Sequence, residues 1–538
     1  MKKKLLTIAG FISCLSMNAQ TVSKVWVADN GNGTYKNPIL HIDYSDPDVC
    51  KAGDAYYMTA SSFNNAPGLP ILKSTDLVNW ELIGYALNKQ IPVEHFQKVQ
   101  HGQGVWAPSI RYYKNEFYIY YPDPDFGIYM IKAKNAAGPW SDPVLVDAGK
   151  GLIDPCPLWD DDGRVYLTYA FAGSRAGIKS VLAVKELNAA GTKVINDGSI
   201  VYDGHEKDKT VEGPKFYKHN GFYYIFAPAG GETEGWQIVL RSKNVYGPYE
   251  RKVVMHQGKS PTNGPHQGGW VRTNSGEDWF FHFQDKDAYG RIVHLQPMTW
   301  KDNWPVIGID ADGDGIGDPV IVHKKPTGVK AGKIMTPPDS DEFSNGFGLQ
   351  WQWQANPRPF WSFARQDSGY LRLYHLSVED SLANSFDIPN MLTQKIPAET
   401  FTATIKLKFR PNLVSEKFGF GIFGLDYAYI GLYKKPDGKV QIGYYTCKKA
   451  DKGGIENEQI IEPLTGEDFY IRVKVDKGGI CTFSYCTDGK SFDAMPVSFT
   501  AKPGKWVGAK LGMFGTAFVN KNDAGFTDVD WVRFEPIQ

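Results

Sequence analysis

The chain has 538 residues, too many for one hydrophobic core, so it divides into two to four domains. It carries 59 basic and 59 acidic residues, a formal net charge of zero with no basic stripe, which argues against nucleic acid and anionic membrane as partners. Aromatic residues reach 14%, with 15 Trp and 29 Tyr; that exceeds what a core needs and suits surfaces that hold flat, half-apolar ligands such as sugars, although an aromatic-rich all-β core explains much of it.

The first residues, MKKKLLTIAGFISCLSMNAQ, join three lysines to an apolar run and reach Ala19. This pattern predicts an export signal over 1–19 and a periplasmic or secreted destination. Phe11-Ile12-Ser13 makes a poor lipidation box before Cys14, so a lipoprotein is the lesser reading. No later segment has the roughly 20 apolar residues that span a bilayer. Without Cys14, the cysteines are Cys50, Cys156, Cys447, Cys481 and Cys486. An odd number without regular spacing argues against a disulfide framework and against zinc, and leaves them as buried fillers.

Five segments then share one grammar: DPDVCKAGDAYYM from Asp46, WAPSIRYYKNEFYIYY from Trp106, DPCPLWDDDGRVYLTY from Asp154, EGPKFYKHNGFYYIF from Glu212 and HQGGWVRTNSGEDWFFHF from His266. Each reads as a short strand, a tight turn and an aromatic strand. The turns are Gly53-Asp54, Lys114-Asn115, Asp162-Gly163, Asn220-Gly221 and Ser275-Gly276, mostly of the two-residue type that hairpins favour. The heads lie 60, 48, 58 and 54 residues apart, the period of a propeller blade. A second phrase recurs at Ser74 to Trp80, Asn135 to Trp140 and Ser242 to Tyr249, and is expected to close a blade with an aromatic packed against the next one. The expected catalytic domain is a five-bladed β-propeller over 20–326.

Inner strands of a propeller line its central channel, so the five heads converge on one axis. Asp46, Asp154 and Glu212 would meet there, opposite Trp106 and His266. One Asp or Glu before or near a proline is ordinary turn chemistry; three in register form a pattern. Two carboxylates across an aromatic-walled pocket are what glycosidic cleavage needs, one protonated to donate to the leaving oxygen and one ionised to activate water. A third carboxylate beside the acid raises its proton affinity by like-charge repulsion.

These motifs, in this order, resemble glycoside hydrolase family 43 of the β-xylosidase and α-L-arabinofuranosidase type, over residues 36–326 with a β-sandwich behind. The resemblance implies an inverting mechanism with Asp46 in YSDPDV as base, Glu212 in VEGPKFY as acid and Asp154 in DPCPLWDDDG as the residue that orients and tunes Glu212. It implies that Trp106 is a platform for the terminal sugar, with packing between blades as the equal alternative. It implies that Arg291 in YGRIVHLQP binds sugar hydroxyls, and that His266 in PHQGG is an axial histidine meeting metal, water or substrate; Phe63 would shape the pocket wall. The substrate is expected to be a hemicellulose polysaccharide or oligosaccharide, with terminal α-L-arabinofuranose favoured over β-D-xylose. An endo-arabinanase and a non-catalytic carbohydrate-binding propeller are the alternatives. Acid–base hydrolysis implies no organic cofactor.

DADGDGIGD, Asp310 to Asp318, has oxygen ligands at alternate positions, but Ile321 stands where an EF-hand needs Glu; a structural calcium and a hydrated acidic turn both fit. The polar, Pro- and Gly-rich stretch Lys324 to Pro338 marks a domain boundary. Beyond it, FTATIKLKF and FYIRVKV alternate with period two, which predicts a jelly-roll, concanavalin-like β-sandwich over 339–538; the family resemblance implies that this is an accessory domain, packed on the propeller, that lends the pocket rim a residue. Glu342 and Asp530 could share a structural calcium there. The expected fold class is all-β throughout.

Overall fold

A computed structural model describes residues 22–365, 368–378, 382–463, 466–517 and 523–537. The expected export signal, Cys14 included, lies outside them.

The repeated grammar folds as five four-stranded antiparallel blades, each contiguous in sequence. Blade one runs from Asp48–Ala52 to Glu81–Leu87, blade two from Ser109–Tyr113 to Val144–Ala148 and blade three from Leu152–Trp159 to Ser199–Asp203. Blade four runs from Lys215–His219 to Glu250–Met255, and blade five from Trp270–Arg272 to Trp304–Ile307. Three of the five hairpins have two-residue turns, between Ala52 and Ala55, Tyr113 and Glu116, and His219 and Phe222. Lys114 and Asn115, at φ 46° and 64°, and Asn220 and Gly221, at 48° and 72°, take the two left-handed conformations of a type I′ turn, whose twist matches that of the strands. The other two are wider, because pairing stops at Trp159 with Val165 and at Arg272 with Asp278.

Aromatic and β-branched residues alternate across each blade, and both faces bury. The result is five apolar seams, each between two adjacent blades. In the seam that closes the ring, Trp80 and Leu72 of blade one meet Phe281 and Leu295 of blade five, with the Trp80 and Phe281 rings edge to face at 5.6 Å. The recurring aromatics Trp80, Trp140 and Tyr249 cap their own turns: Trp80 Nε1 donates to Leu77 O (2.9 Å), Trp140 Nε1 to Ala136 O (3.1 Å) and the Tyr249 hydroxyl to Val245 O (2.7 Å). They pack into the seam with the preceding blade, not the following one as expected, because the closing turn folds back over the strand it leaves. Thr34–Lys36 pairs with Val322–Lys324, tying the two ends of the propeller together.

The C-terminal part is a sandwich of two large sheets. Phe401, Ala403, Ile405, Leu407 and Phe409 point inward from one strand and Ile471, Val473 and Val475 from its neighbour, the two-residue period read from sequence. Glu342 is held by Arg533 (2.7 and 2.9 Å) and Asp530 by Lys406 (2.7 Å). These carboxylates, expected to share a calcium, are each paired with a separate cation. The five described cysteines are free and buried. Among the described residues no helix is long and apolar enough to cross a membrane.

The sandwich is fastened to the propeller near the channel mouth. Ala66 and Trp353 exchange backbone hydrogen bonds (3.0 and 2.7 Å), and Gln90 and Asn356 pair through their amides. The buried Asp43 carboxylate accepts from Arg291 N on the propeller and from Gly508 N on the sandwich, both at 2.9 Å.

Candidate active site

Asp46 stands just before the inner strand of blade one and Asp154 within that of blade three, where the register shifts between Ile153 and Cys156; each is followed by proline and each is at positive φ, 56° and 58°. A left-handed non-glycine residue costs on the order of 1–3 kcal/mol and persists only where the surroundings enforce it. Both side chains line one cavity.

Three donors converge on Asp46. Its Oδ2 accepts from the hydroxyls of Ser45 (2.6 Å) and Ser61 (2.5 Å), and its Oδ1 lies 3.4 Å from Arg291 Nη1, which also donates to Ser45 Oγ (3.0 Å). Asp154 is buried, and its Oδ2 accepts from Gly213 N at 2.7 Å, the amide that follows Glu212. That bond fixes the backbone carrying Glu212. Burial first, then the negative charges of Glu212 and Asp46, push Asp154 well above the ordinary carboxylate range, opposed by the Gly213 amide and the Lys215 ammonium.

Glu212 is the accessible member, with 36% of its side chain exposed. Its Oε1 lies 3.0 Å from Nε2 of the buried His266, whose Nδ1 has no hydrogen-bond partner. Since an orphaned acceptor is better tolerated than an orphaned N–H, the proton belongs on Nε2 and points at Glu212.

The cavity has a volume of about 240 Å³ and is lined by the three carboxylates with Phe63, Trp106, Arg291 and, from the sandwich, Trp506. The Trp106 ring sits 6.4 Å from Phe63 and 6.1 Å from Trp506, with its Nε1 donating to Gly102 O (2.9 Å). The Arg291 guanidinium lies over the rings of Phe283 (4.9 Å) and Trp506 (5.8 Å).

This constellation can be set beside known proteins. The family model described as glycosyl hydrolases family 43 matches residues 35–305, and that of the β-xylosidase C-terminal concanavalin A-like domain matches 340–535. The chain belongs to glycosyl hydrolase family 43. It is 36% identical over 500 residues to a putative β-xylosidase of Xylanibacter ruminicola, covering 92% of this chain and 88% of that one. It is 32% identical to a β-xylosidase of Formosa agariphila over 566 residues, 96% and 92% of the two chains. A non-reducing end α-L-arabinofuranosidase of Bacteroides ovatus is 30% identical over 409 residues, 72% and 73% of the two. The solved xylan β-1,4-xylosidase of Bacillus halodurans shares the fold, with a TM-score of 0.81 at 22% identity over 93% of this chain and 99% of that one. As a family 43 member the protein is a glycosidase, an all-β propeller with a concanavalin-like sandwich behind it.

Six of the seven residues singled out in the sequence line the family 43 pocket; His266 does not. It stands behind Glu212, closed off from the cavity by burial, so the expected substrate contact becomes a contact to a carboxylate. No group of three metal-binding side chains among the described residues includes His266. Such a group does form at Asp310, Asp312 and Asp314, whose ligand atoms lie within 4.8 Å of one another. Asp310 there already accepts from Gly313 N (2.7 Å) and Gly315 N (3.0 Å). Sequence reasoning missed Trp506. Its only signal is a tryptophan in the glycine-rich loop AKPGKWVGAK, in a domain expected to reach the rim.

Proposed function

We propose that the protein is an inverting, exo-acting glycosidase that releases a terminal pentose from hemicellulose or its oligosaccharides, D-xylose first and L-arabinofuranose second. The observation that carries this reading is the contrast between two carboxylates in one small pocket. Asp46 is locked among donors and suited to accept, whereas Glu212 is accessible and backed by an imidazole N–H. Asp46 takes a proton from a water as that water attacks the anomeric carbon, and Glu212 passes a proton to the departing glycosidic oxygen. Asp154, which accepts from the Gly213 amide, positions the backbone that carries Glu212. Arg291 and the rings of Trp106 and Trp506 would hold the sugar. Water is the only co-reactant.

A cavity of about 240 Å³ falls below the roughly 300–1,000 Å³ of sites for drug-sized ligands, which favours a chain end over a groove along a polymer. The β-xylosidase names of the two relatives that match nearly the whole chain support xylose ahead of arabinose, and the Bacteroides relative keeps arabinofuranose as the second reading. The lysine-led apolar N-terminus supports export.

The test uses aryl β-D-xyloside, aryl α-L-arabinofuranoside and xylobiose. Asp46→Asn should lose about 10³-fold or more in kcat on every substrate, while Glu212→Gln should lose about 10²- to 10⁴-fold on xylobiose and far less on aryl glycosides with good leaving groups. Proton NMR of the first product from the β-xyloside should show α-xylose. A first-formed β anomer would remove inversion, and Glu212→Gln crippled equally on both kinds of leaving group would remove it as the acid.

A further inference from the structure

The inner strands that begin at the catalytic pocket end at a second cavity. Three to seven residues beyond the heads their side chains line a wider opening of about 670 Å³, at the other end of the propeller axis. At about 3.3 Å per strand residue, it lies on the order of 10–23 Å from the carboxylates. Between them Asp48, fully buried, accepts from Ile110 N (2.8 Å) and Arg111 Nη1 (2.6 Å), and Arg111 Nη2 meets Cys156 Sγ at 2.8 Å. Arg111, which lines the second cavity, makes these buried polar groups the floor of a funnel.

Its walls are aromatic. Tyr113 stacks on Trp159 at 4.8 Å with the planes 17° apart, Trp270 meets Tyr217 at 5.2 Å, and Tyr112 stands at the rim, 37% exposed. Its charges cancel. Arg272 is held bidentately by Asp278 (2.8 Å on both arms), Lys218 by Asp160 and by Asp161 (2.9 Å), Arg111 by Asp48, and Lys51 reaches the Asn274 amide oxygen. Four cations thus stand against the four carboxylates Asp48, Asp160, Asp161 and Asp278. An aromatic funnel with fixed N–H donors and no net charge rejects phosphates and polyanions, which need uncompensated cations, and suits an uncharged polyol.

We propose that this funnel is a second glycan site that docks a stretch of neutral hemicellulose chain away from the catalytic pocket; the choice of hemicellulose rests on the pentosidase reading above. A pocket that grips only a chain end has little hold on a polymer. A remote second grip raises the effective concentration of chain ends without any new contact at the carboxylates.

Native electrophoresis in gels containing soluble xylan or arabinoxylan tests this. Wild type and Glu212→Gln should be retarded alike, with or without saturating D-xylose, since the funnel is not the pocket. Tyr112→Ala, and the pair Tyr112→Ala with Tyr113→Ala, should weaken the retardation about 3- to 10-fold, the worth of losing one or two ring contacts. Both variants should keep wild-type kcat/KM on aryl β-D-xyloside, which also shows that they are folded, while release of xylose from polymer falls. Undiminished retardation in the tyrosine variants, no retardation of the wild type by any neutral glycan, or retardation by heparin or DNA in its place would overturn the proposal. Failure to hydrolyse any aryl pentoside would sink the pentosidase reading instead, and leave the gels to decide the funnel.

Discussion

Burial first, then the nearby charge of Glu212, holds the proton on Asp154. Deleting this carboxyl should therefore show in the pH profile as well as in the rate. Asp154→Asn removes the carboxyl whose proton affinity burial raises, so the part of the alkaline limb of kcat/KM that its ionisation sets should disappear. A limb that stays in place while kcat falls would leave Asp154 as a purely positional residue. Trp506 works through contact instead. Trp506→Ala strips one wall from the cavity and should raise KM for xylobiose about 10-fold, with melting temperature held, as for removal of a half-exposed aromatic anchor. The carboxylates were legible because each opens a repeated strand phrase, and register alone brought them to one axis. Trp506 was not, since its loop lies 215 residues beyond Arg291, on another domain, and no repeat ties it to the pocket.

At the scale of the element, each blade is a sheet whose two faces both bury, so its stability lies in the seams. Trp80 illustrates this: wholly buried, bonded to its own turn and set edge to face on Phe281 of blade five, it closes the ring from the blade-one side. Trp80→Ala should cost about 3–5 kcal/mol and lower the urea midpoint of unfolding, with little change in KM for the protein that remains folded. Blade number and hairpin positions could be read from the period of the heads and from the turn pairs. The direction in which the closing aromatics pack could not, because a tryptophan after a turn is equally apolar toward either neighbour. Only the handed return of the chain chooses the side. The two wider turns were hidden for a related reason: Asp162-Gly163 and Ser275-Gly276 match the two-residue pattern, yet pairing stops earlier on both strands.

At the scale of the whole molecule, the propeller carries buried histidines that folding keeps neutral, His41 against Tyr289 and His282 beside His294 in blade five. His41 and His282 are each pushed down to about 4, chiefly by burial, and His294 lies well below the usual imidazole value, with the His282 and His294 rings stacked at 5.2 Å and the charge of Lys286 disfavouring protonation of His41 and His294. Unfolded, each binds a proton below about pH 6.5. Between that pH and about 4 the unfolded chain takes up protons that the native protein refuses. Stability is therefore whole above about 6.5 and is lost as pH falls toward 4, by up to roughly 3 kcal/mol per histidine. Chemical denaturation at pH 7 and 4.5 measures the loss, and His294→Leu should flatten it; an unchanged slope would assign acid sensitivity elsewhere. Asp43, which ties Arg291 of the propeller to Gly508 of the sandwich, sets the two domains in the relation that completes the pocket.

By itself the sequence determined what is periodic and local: an all-β chain, five repeated hairpins, a sandwich of alternating strands, and three carboxylates at equivalent positions. Strand alternation, turn chemistry and repeat spacing act over short stretches of chain, so they are written where they act. The tertiary structure alone decided what depends on groups distant in sequence meeting in space. It turned His266 from the cavity to the back of Glu212, gave Glu342 and Asp530 separate cations, carried Trp506 to the sugar pocket and opened an uncharged aromatic funnel at the far end of the axis. Burial and pairing of this kind are properties of the packed surface between elements, and no single element encodes that surface.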